Sequence, residues 1–403
     1  MTLVAPRHRV RPEVQAVMDD VIRLRRDLHR FPELGFQEHR TARVVADYLE
    51  QLGLPMRKGV AKTGVVALVE GAQPGPTLLL RADMDALPVH EATGLEYAST
   101  TPGKMHACGH DGHTAILLGA ARVLAGMKDR LSGTVKLVFQ PAEEGPGGAQ
   151  PMIEEGVLND PPVDAAVGLH LWSDLPVGQV GVQSGPFMAA SDTFDIIIKG
   201  RGGHAAKPDQ TVDPVVVAAH MVVALQTVVS RTVDPLESAV VTVTRMHGGE
   251  AYNVIPDQVE LGGTIRTFRP EIRQLVRDRI KALVEGVATG FGAQAEFRFE
   301  EGYPPVINDP AMTELVAGCC RSLLGLEGEL PDSRTLGGED MAYFLNAVPG
   351  CYFFLGARND ETACNYPHHH PRFNICEEAF PLGVELFVRV VESFFESPPA
   401  RAV

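Results

Sequence analysis

The sequence predicts an α/β protein with a smaller α+β domain inserted into it, and three observations lead there. Four short runs, Val65–Val69, Thr77–Leu80, Val135–Phe139 and Ala165–Leu169, are apolar throughout rather than alternating, which is how strands buried on both faces read. Segments with helical spacing of apolar residues surround them. From about residue 189 to about 303 the pattern changes to alternating strands separated by two long helices, in the order βαββαβ of a ferredoxin-like unit. A chain of 403 residues is also too long for one ordinary core.

Element by element, Pro12–Arg30 reads as a helix, and Gln37–Gly53 as a second with Val44, Val45, Tyr48, Leu49 and Leu52 on one face. The buried strands follow, with a helix over His113–Met127 between two of them. Thr193–Lys199 alternates as a strand, Val212–Arg231 is helical, Ser238–His247 and Gln258–Thr267 are strands, Pro270–Thr289 is helical and Gln294–Phe299 is the last strand of the insertion. After Tyr303-Pro-Pro305 the α/β pattern resumes with a helix over Pro310–Leu324, the strand Cys351–Leu355 and a closing helix over Glu378–Phe395. The expected domains are 1–188 with 304–403, and the insertion 189–303.

Composition narrows the function classes. A net charge of −15, from 36 basic and 51 acidic residues, works against binding to phosphate backbones or anionic membranes, so neither nucleic acid nor membrane is expected as a partner. No apolar run approaches the roughly 20 residues of a membrane span. The N-terminal stretch has basic residues but no apolar core of a secretory signal. Six cysteines in 403 residues are sparse, and together these features predict a cytoplasmic protein with reduced thiols.

The chemistry concentrates in a few motifs. Met105–His113, MHACGHDGH, packs three histidines, a cysteine and an aspartate into nine residues. Asp83-Met-Asp85, Glu143-Glu144, His170 and the run His368-His369-His370 supply more carboxylates and imidazoles. Thiolate, imidazole and carboxylate are the groups that hold zinc-like cations. Asp83, Asp85, Glu143, Glu144 and His170 also fall at or just after the buried runs, where open α/β sheets place their sites. Cys108-Gly-His110 lets two ligands reach one small volume around a flexible glycine. Taken alone, Glu143-Glu144 reads as well as a solvated pair in a loop. In a metal site one carboxylate would bind the cation while the other takes a proton from a metal-held water, and the sequence does not say which. His170 alone reads equally as a core histidine. His8, His29, His39, His90 and His220 have no identifiable partners.

The ordered set HRFPELGFQE, RADMDALPV, MHACGHDGHTA, QPAEEG, GLH, GRGGHAAKP, AYNVIPD, GTIRTF, GGEDMAYF and HHPRFN runs from His29 to Asn374. It resembles the hippurate hydrolase and N-acyl-amino-acid amidohydrolase subgroup of the di-metal aminoacylase–carboxypeptidase family. The resemblance implies a zinc-exopeptidase-like catalytic domain, with a mixed sheet flanked by helices, and an inserted ferredoxin-like domain that dimerises. It implies two divalent ions, Zn, Mn, Co or Ni, held by Cys108, His110, Glu144, His170 and His369, with Glu143 as general base and Asp85 supporting the ligands from behind. Cys108 replaces the histidine that two-zinc relatives carry where this chain has Asp83. His204 would reach a neighbouring subunit's site and polarise the scissile carbonyl, while Asn253 and Arg266 would meet the substrate's carboxylate; Glu339 is a weaker candidate. The implied reaction is hydrolysis of an N-acyl or N-aroyl amino acid by a metal-activated water, in a homodimer or homotetramer joined through the insertion. A dipeptidase or carboxypeptidase on the same scaffold is the alternative, and a noncatalytic metal-binding assembly protein a third.

Overall fold

Leu78, Leu79 and Leu80 are fully buried, as an apolar run covered on both faces requires. The computed structural model describes residues 10–330 and 332–399; His8 lies outside them. The chain divides into two units. One takes the chain up to Gly185, Ile307–Ser333 and the chain from Tyr343 onward, and the other takes Pro186–Val306 with Arg334–Ala342.

The first unit is built on a mixed sheet of eight strands. Their order is Met56–Val60, Gly64–Glu70, Ser132–Gln140, Gln73–Asp83, Ala165–Pro176, Gly350–Arg358, Val180–Gly181 and Glu329–Leu330. The four central strands, from Ser132–Gln140 to Gly350–Arg358, run parallel, so their carboxyl ends share one edge. Register makes this concrete: Asp83 pairs with Gln140, and Arg81 with Gly168, two residues before His170. Helices Met18–Arg30, His39–Gln51, His110–Ala125, Pro310–Leu324 and Phe380–Glu396 pack into the same core cluster as the strands.

Several boundaries moved. The first helix is broken into Pro12–Gln15 and Met18–Arg30, and the central helix starts at His110 rather than at His113. His-Asp-Gly-His looks polar and loop-like, but His110, Asp111 and His113 are all buried, so tertiary packing overrides local polarity. The strand Met56–Val60 escaped notice because Arg57 and Lys58 point into solvent at the sheet edge.

The second unit has a four-stranded antiparallel sheet in the order Ala239–His247, Gln258–Thr267, Ala190–Lys199, Gln294–Tyr303. Numbered along the chain this is 2-3-1-4, the ferredoxin-like arrangement. Helices Pro214–Thr232 and Pro270–Gly290 share its core with Ile196, Ile198, Leu261 and Ile265. The 19-residue helix Pro214–Thr232 is long and apolar enough to cross a bilayer by length and composition, which corrects the expectation that no run approaches that length. One of its faces (Val217, Ala218, Met221, Leu225 and Val228) is buried, while Val215, Val216 and Val223 are exposed.

Candidate metal centre

Four segments of the first unit converge at the carboxyl edge of the parallel strands. Cys108, His110 and His170 each place a ligand atom within 4.8 Å of the others. Cys108, Glu144 and His369 form a second such group, and His110, Glu143 and Glu144 a third. All five expected ligands and the expected base therefore lie in overlapping triads.

Local structure explains each placement. Gly109 precedes the helix His110–Ala125 at φ 97°, a left-handed conformation open to glycine at little cost. It turns Cys108 toward His170, Sγ to Nε2 3.5 Å, and starts the helix at His110. His110 Nδ1 donates to the Asp85 carbonyl at 2.9 Å, and His170 Nδ1 donates to the Leu171 carbonyl at 2.8 Å. A carbonyl can only accept, so both rings donate from Nδ1 and turn Nε2 inward. His369 comes from far along the chain; its backbone N–H donates to the Ala107 carbonyl at 2.8 Å, and its Nε2 lies 3.1 Å from Glu144 Oε1.

Asp85 organises the carboxylates. Its Oδ1 accepts from the backbone N–H of Glu143 and its Oδ2 from that of Glu144, both at 2.9 Å. One side chain thus fixes the two adjacent glutamates while its own carbonyl orients His110. Glu38, which the sequence did not single out, does the same one residue earlier: Oε1 accepts from Ala142 N–H at 2.8 Å, and Oε2 from the Thr63 hydroxyl at 2.7 Å. Ala142 sits at φ 54°, a strained value for a residue with a Cβ, and Glu38 helps hold it there.

Other polar residues of the motif are structural. Asp83 Oδ2 accepts from Arg81 at 2.7 Å and Oδ1 from His113 Nδ1 at 2.7 Å, while His113 Nε2 accepts from Leu171 N–H at 2.8 Å. Asp83 and His113 meet geometric criteria for a ligand group with His110, but these bonds already occupy them. Asp111 pairs with Arg25 at 2.8 Å and His29 at 2.7 Å, all buried. His29, given no partner on the sequence, therefore has a defined structural task. His368 bonds the Leu171 carbonyl at 3.1 Å and its Nδ1 lies 3.1 Å from the Ser173 hydroxyl.

Electrostatics test whether cations fit. Burial, and after it the Glu144, Glu143 and Asp83 carboxylates, pushes the Cys108 thiol well above its ordinary value. Burial opposes charge on His110, yet Asp83 and Asp85 outweigh it and raise the imidazole to about 10. Burial drives His170 well below its ordinary value. This is an acidic pocket with a thiol that resists ionisation and a buried His110 Nε2 lacking any hydrogen-bond partner. Divalent cations would answer all three features, since they stabilise thiolate and take the inward nitrogens as ligands, displacing the second proton of His110.

In the second unit, His204 pairs with Val254 in a two-stranded ribbon, and the Asn253 carbonyl accepts from Ala205 N–H at 3.0 Å, so His204 and Asn253 are neighbours. Ala206 N–H donates to His204 Nδ1 at 3.1 Å, which leaves the proton of the neutral ring on exposed Nε2. Arg266 lies in the four-stranded sheet, opposite Ser191 and Val240, with its guanidinium on Thr264 and the Ile265 carbonyl. Glu339 Oε1 accepts from Met341 N–H at 2.9 Å at the start of a short helix, a loop-shaping contact.

The chain is 48% identical over 296 residues to the N-acyl-L-amino acid amidohydrolase of Geobacillus stearothermophilus, covering 73% of this chain and 80% of that one. Over 379 residues it is 41% identical to thermostable carboxypeptidase 1 of Saccharolobus solfataricus, covering 93% and 95%. Among solved structures, a dinuclear metal-binding peptidase of the M20 family from Bacillus subtilis matches with a TM-score of 0.83 and 38% identity, over 95% of this chain and 99% of that one. The profile of peptidase family M20/M25/M40 matches residues 79–393, a stretch that contains every residue of the triads above, and the chain belongs to that family.

Proposed function

We propose that this protein is a metal-dependent amidohydrolase that cleaves the amide of N-acyl or N-aroyl amino acids to a carboxylic acid and a free amino acid. The observation that carries the reading is the overlap of two ligand triads on the sulfur of Cys108. Two divalent ions, Zn, Mn, Co or Ni, would be held by Cys108, His110, Glu144, His170 and His369. When bound, such ions polarise an amide carbonyl and lower the pKa of water toward about 7.

The chain's own groups supply the rest. Glu143, fixed through its backbone by Asp85, accepts the proton of the attacking water and returns it to the leaving nitrogen. His204, with its Nε2 proton exposed, donates to the developing oxyanion, in a neighbouring subunit's site as we read it. Arg266 and Asn253 receive the substrate's carboxylate; a guanidinium fork suits that task. The exposed apolar side chains Val215, Val216 and Val223, together with the edge strand Ala239–His247 of the second unit, support assembly of a homodimer or homotetramer through that domain. Six unlinked cysteines support a cytoplasmic location.

Peptidase names among the relatives favour one second reading, a carboxypeptidase or dipeptidase on the same scaffold. A panel of N-acetyl, N-benzoyl and free dipeptide substrates, run with each of the four metals in turn, separates the two. Turnover of the acylated amino acids is expected; hydrolysis confined to peptides with a free amino terminus refutes the proposal.

A further inference from the structure

The segment that carries His369 is anchored at both ends beside a pair of cysteines. Cys364 exchanges two backbone hydrogen bonds with Asn359, each 3.0 Å, and Cys376 N–H donates to the Ala357 carbonyl at 2.9 Å. Both anchors lie at the end of the strand Gly350–Arg358. The two thiols lie close enough to shift one another's protonation; the Asn359 amide reaches the Cys376 sulfur at 3.9 Å while the Asn359 backbone pairs with Cys364, so both cysteines meet at one residue. Both cysteines are buried, at 3% and 5% exposure, but directly under an exposed turn at 360–363.

This pair is wired toward the metal centre on two routes. Along the chain it brackets His369. Through side chains, Asn374 Nδ2 donates to Cys364 Sγ at 3.3 Å while its Oδ1 accepts from Arg25 at 2.9 Å, and Arg25 in turn holds Asp111, next to His110. We propose that Cys364 and Cys376 are an oxidisable dithiol, which a hydroperoxide closes to a disulfide across the base of the His369 segment, slowing the metal centre.

The chemistry balances on the two thiols and one hydroperoxide. The Cys376 thiolate attacks the O–O bond; an S–O bond forms, O–O breaks, and the alcohol, or water from hydrogen peroxide, leaves after taking a proton. Cys364 then attacks the resulting sulfenic sulfur; S–S forms, S–O breaks and water leaves. Two thiols lose two electrons, and the hydroperoxide gains them. Cys376 is suited to attack first, because the bond from Cys364 outweighs burial and lowers its thiol to about 6. Burial instead raises Cys319, Cys320 and Cys351. A disulfide holds its sulfurs at about 2.05 Å, closer than two unlinked thiols can approach. Closure pulls Cys364 away from Asn374 and loosens the link to Arg25.

The effect on turnover rests on the function proposed above; formation of the disulfide does not. Metal-loaded protein is treated with stoichiometric hydrogen peroxide, digested without reductant and read by mass spectrometry, with hydrolysis of an N-acyl amino acid measured in parallel. A peptide linking residues 364 and 376, lighter by two hydrogens, is expected, together with a fall in activity of about tenfold that a dithiol reductant reverses. The double variant C364S/C376S should keep its activity through the same treatment. The proposal is overturned if no such link forms, if it forms without slowing hydrolysis, or if the double variant loses activity equally, which would place the damage at Cys108. Should no acylated substrate be turned over at all, the function proposal fails; divalent-ion retention on dialysis then replaces activity, and a linked protein that keeps its ions overturns this one.

Discussion

The division of labour between Glu143 and Glu144 depends on one side chain behind them. Asp85 presents one carboxylate oxygen to each of the two backbone amides, so their side chains leave the loop in fixed and different directions. Glu144 approaches His369, while Glu143 Oε2 lies 4.0 Å from His110 Nε2. Replacing Glu143 by Gln removes the proton acceptor and keeps the shape. Turnover should fall about 10²–10⁴-fold with divalent-ion content unchanged by elemental analysis; near-normal turnover at full loading would refute the base assignment. Asp85→Ala strands two buried N–H donors that now bond a charge. A stability loss of about 3 kcal/mol is expected, read as a lower denaturant midpoint with accompanying loss of bound metal. Asp85→Asn keeps an acceptor for only one of the two amides and should fall between.

At the scale of elements, the parallel strands deliver groups distant in sequence to one edge, and they tolerate awkward passengers in doing so. Lys136, inside the strand Ser132–Gln140, is almost wholly buried; its ammonium donates to the Val157 and Pro161 carbonyls, both at 2.7 Å. Burial lowers it to about 8, against about 10.4 unfolded. Below pH 8 the lysine is charged in both states and the fold bears the cost of burying it. Between about 8 and about 10.4 the unfolded chain binds more protons, so this group's contribution to stability rises with pH and then levels off. Denaturant midpoints at pH 7.5, 9 and 10 should show that rise in the parent and not in Lys136→Met; parallel pH profiles would refute it.

At the scale of the whole molecule, the fold was legible because buried strands and amphipathic helices have distinct periods. The βαββαβ order of the second unit followed from alternation alone. What escaped was set by contacts no period records. Strand Met56–Val60 is polar because it lies at an edge, and Glu38, His29 and Arg25 look like ordinary helix residues until their partners at 142, 111 and 374 are known. The ligand set, which leaves out Asp83 and His113, came from motif order rather than spacing, and the bonds of those two residues to Arg81 and Leu171 supply the physical reason. Assembly belongs to this scale too. The apolar face of Pro214–Thr232 predicts a solution mass of at least twice 43.5 kDa, and Val223→Asp, at a position 70% exposed, should shift it toward the monomer while the helix content is kept. A monomer in the parent protein would remove the proposed role of His204 in a neighbour's site.

The bond from His369 N–H to the Ala107 carbonyl also has a bearing on how the protein is made. Cys108, His110 and His170 all emerge from the ribosome well before the second unit is complete, whereas the triad containing His369 waits for nearly the entire chain. The side chains of the first group are therefore encoded ahead of the second unit, while the group that includes His369 can assemble only when synthesis is nearly finished. A translation product that stops short of residue 369 lacks one of the three side chains of that group.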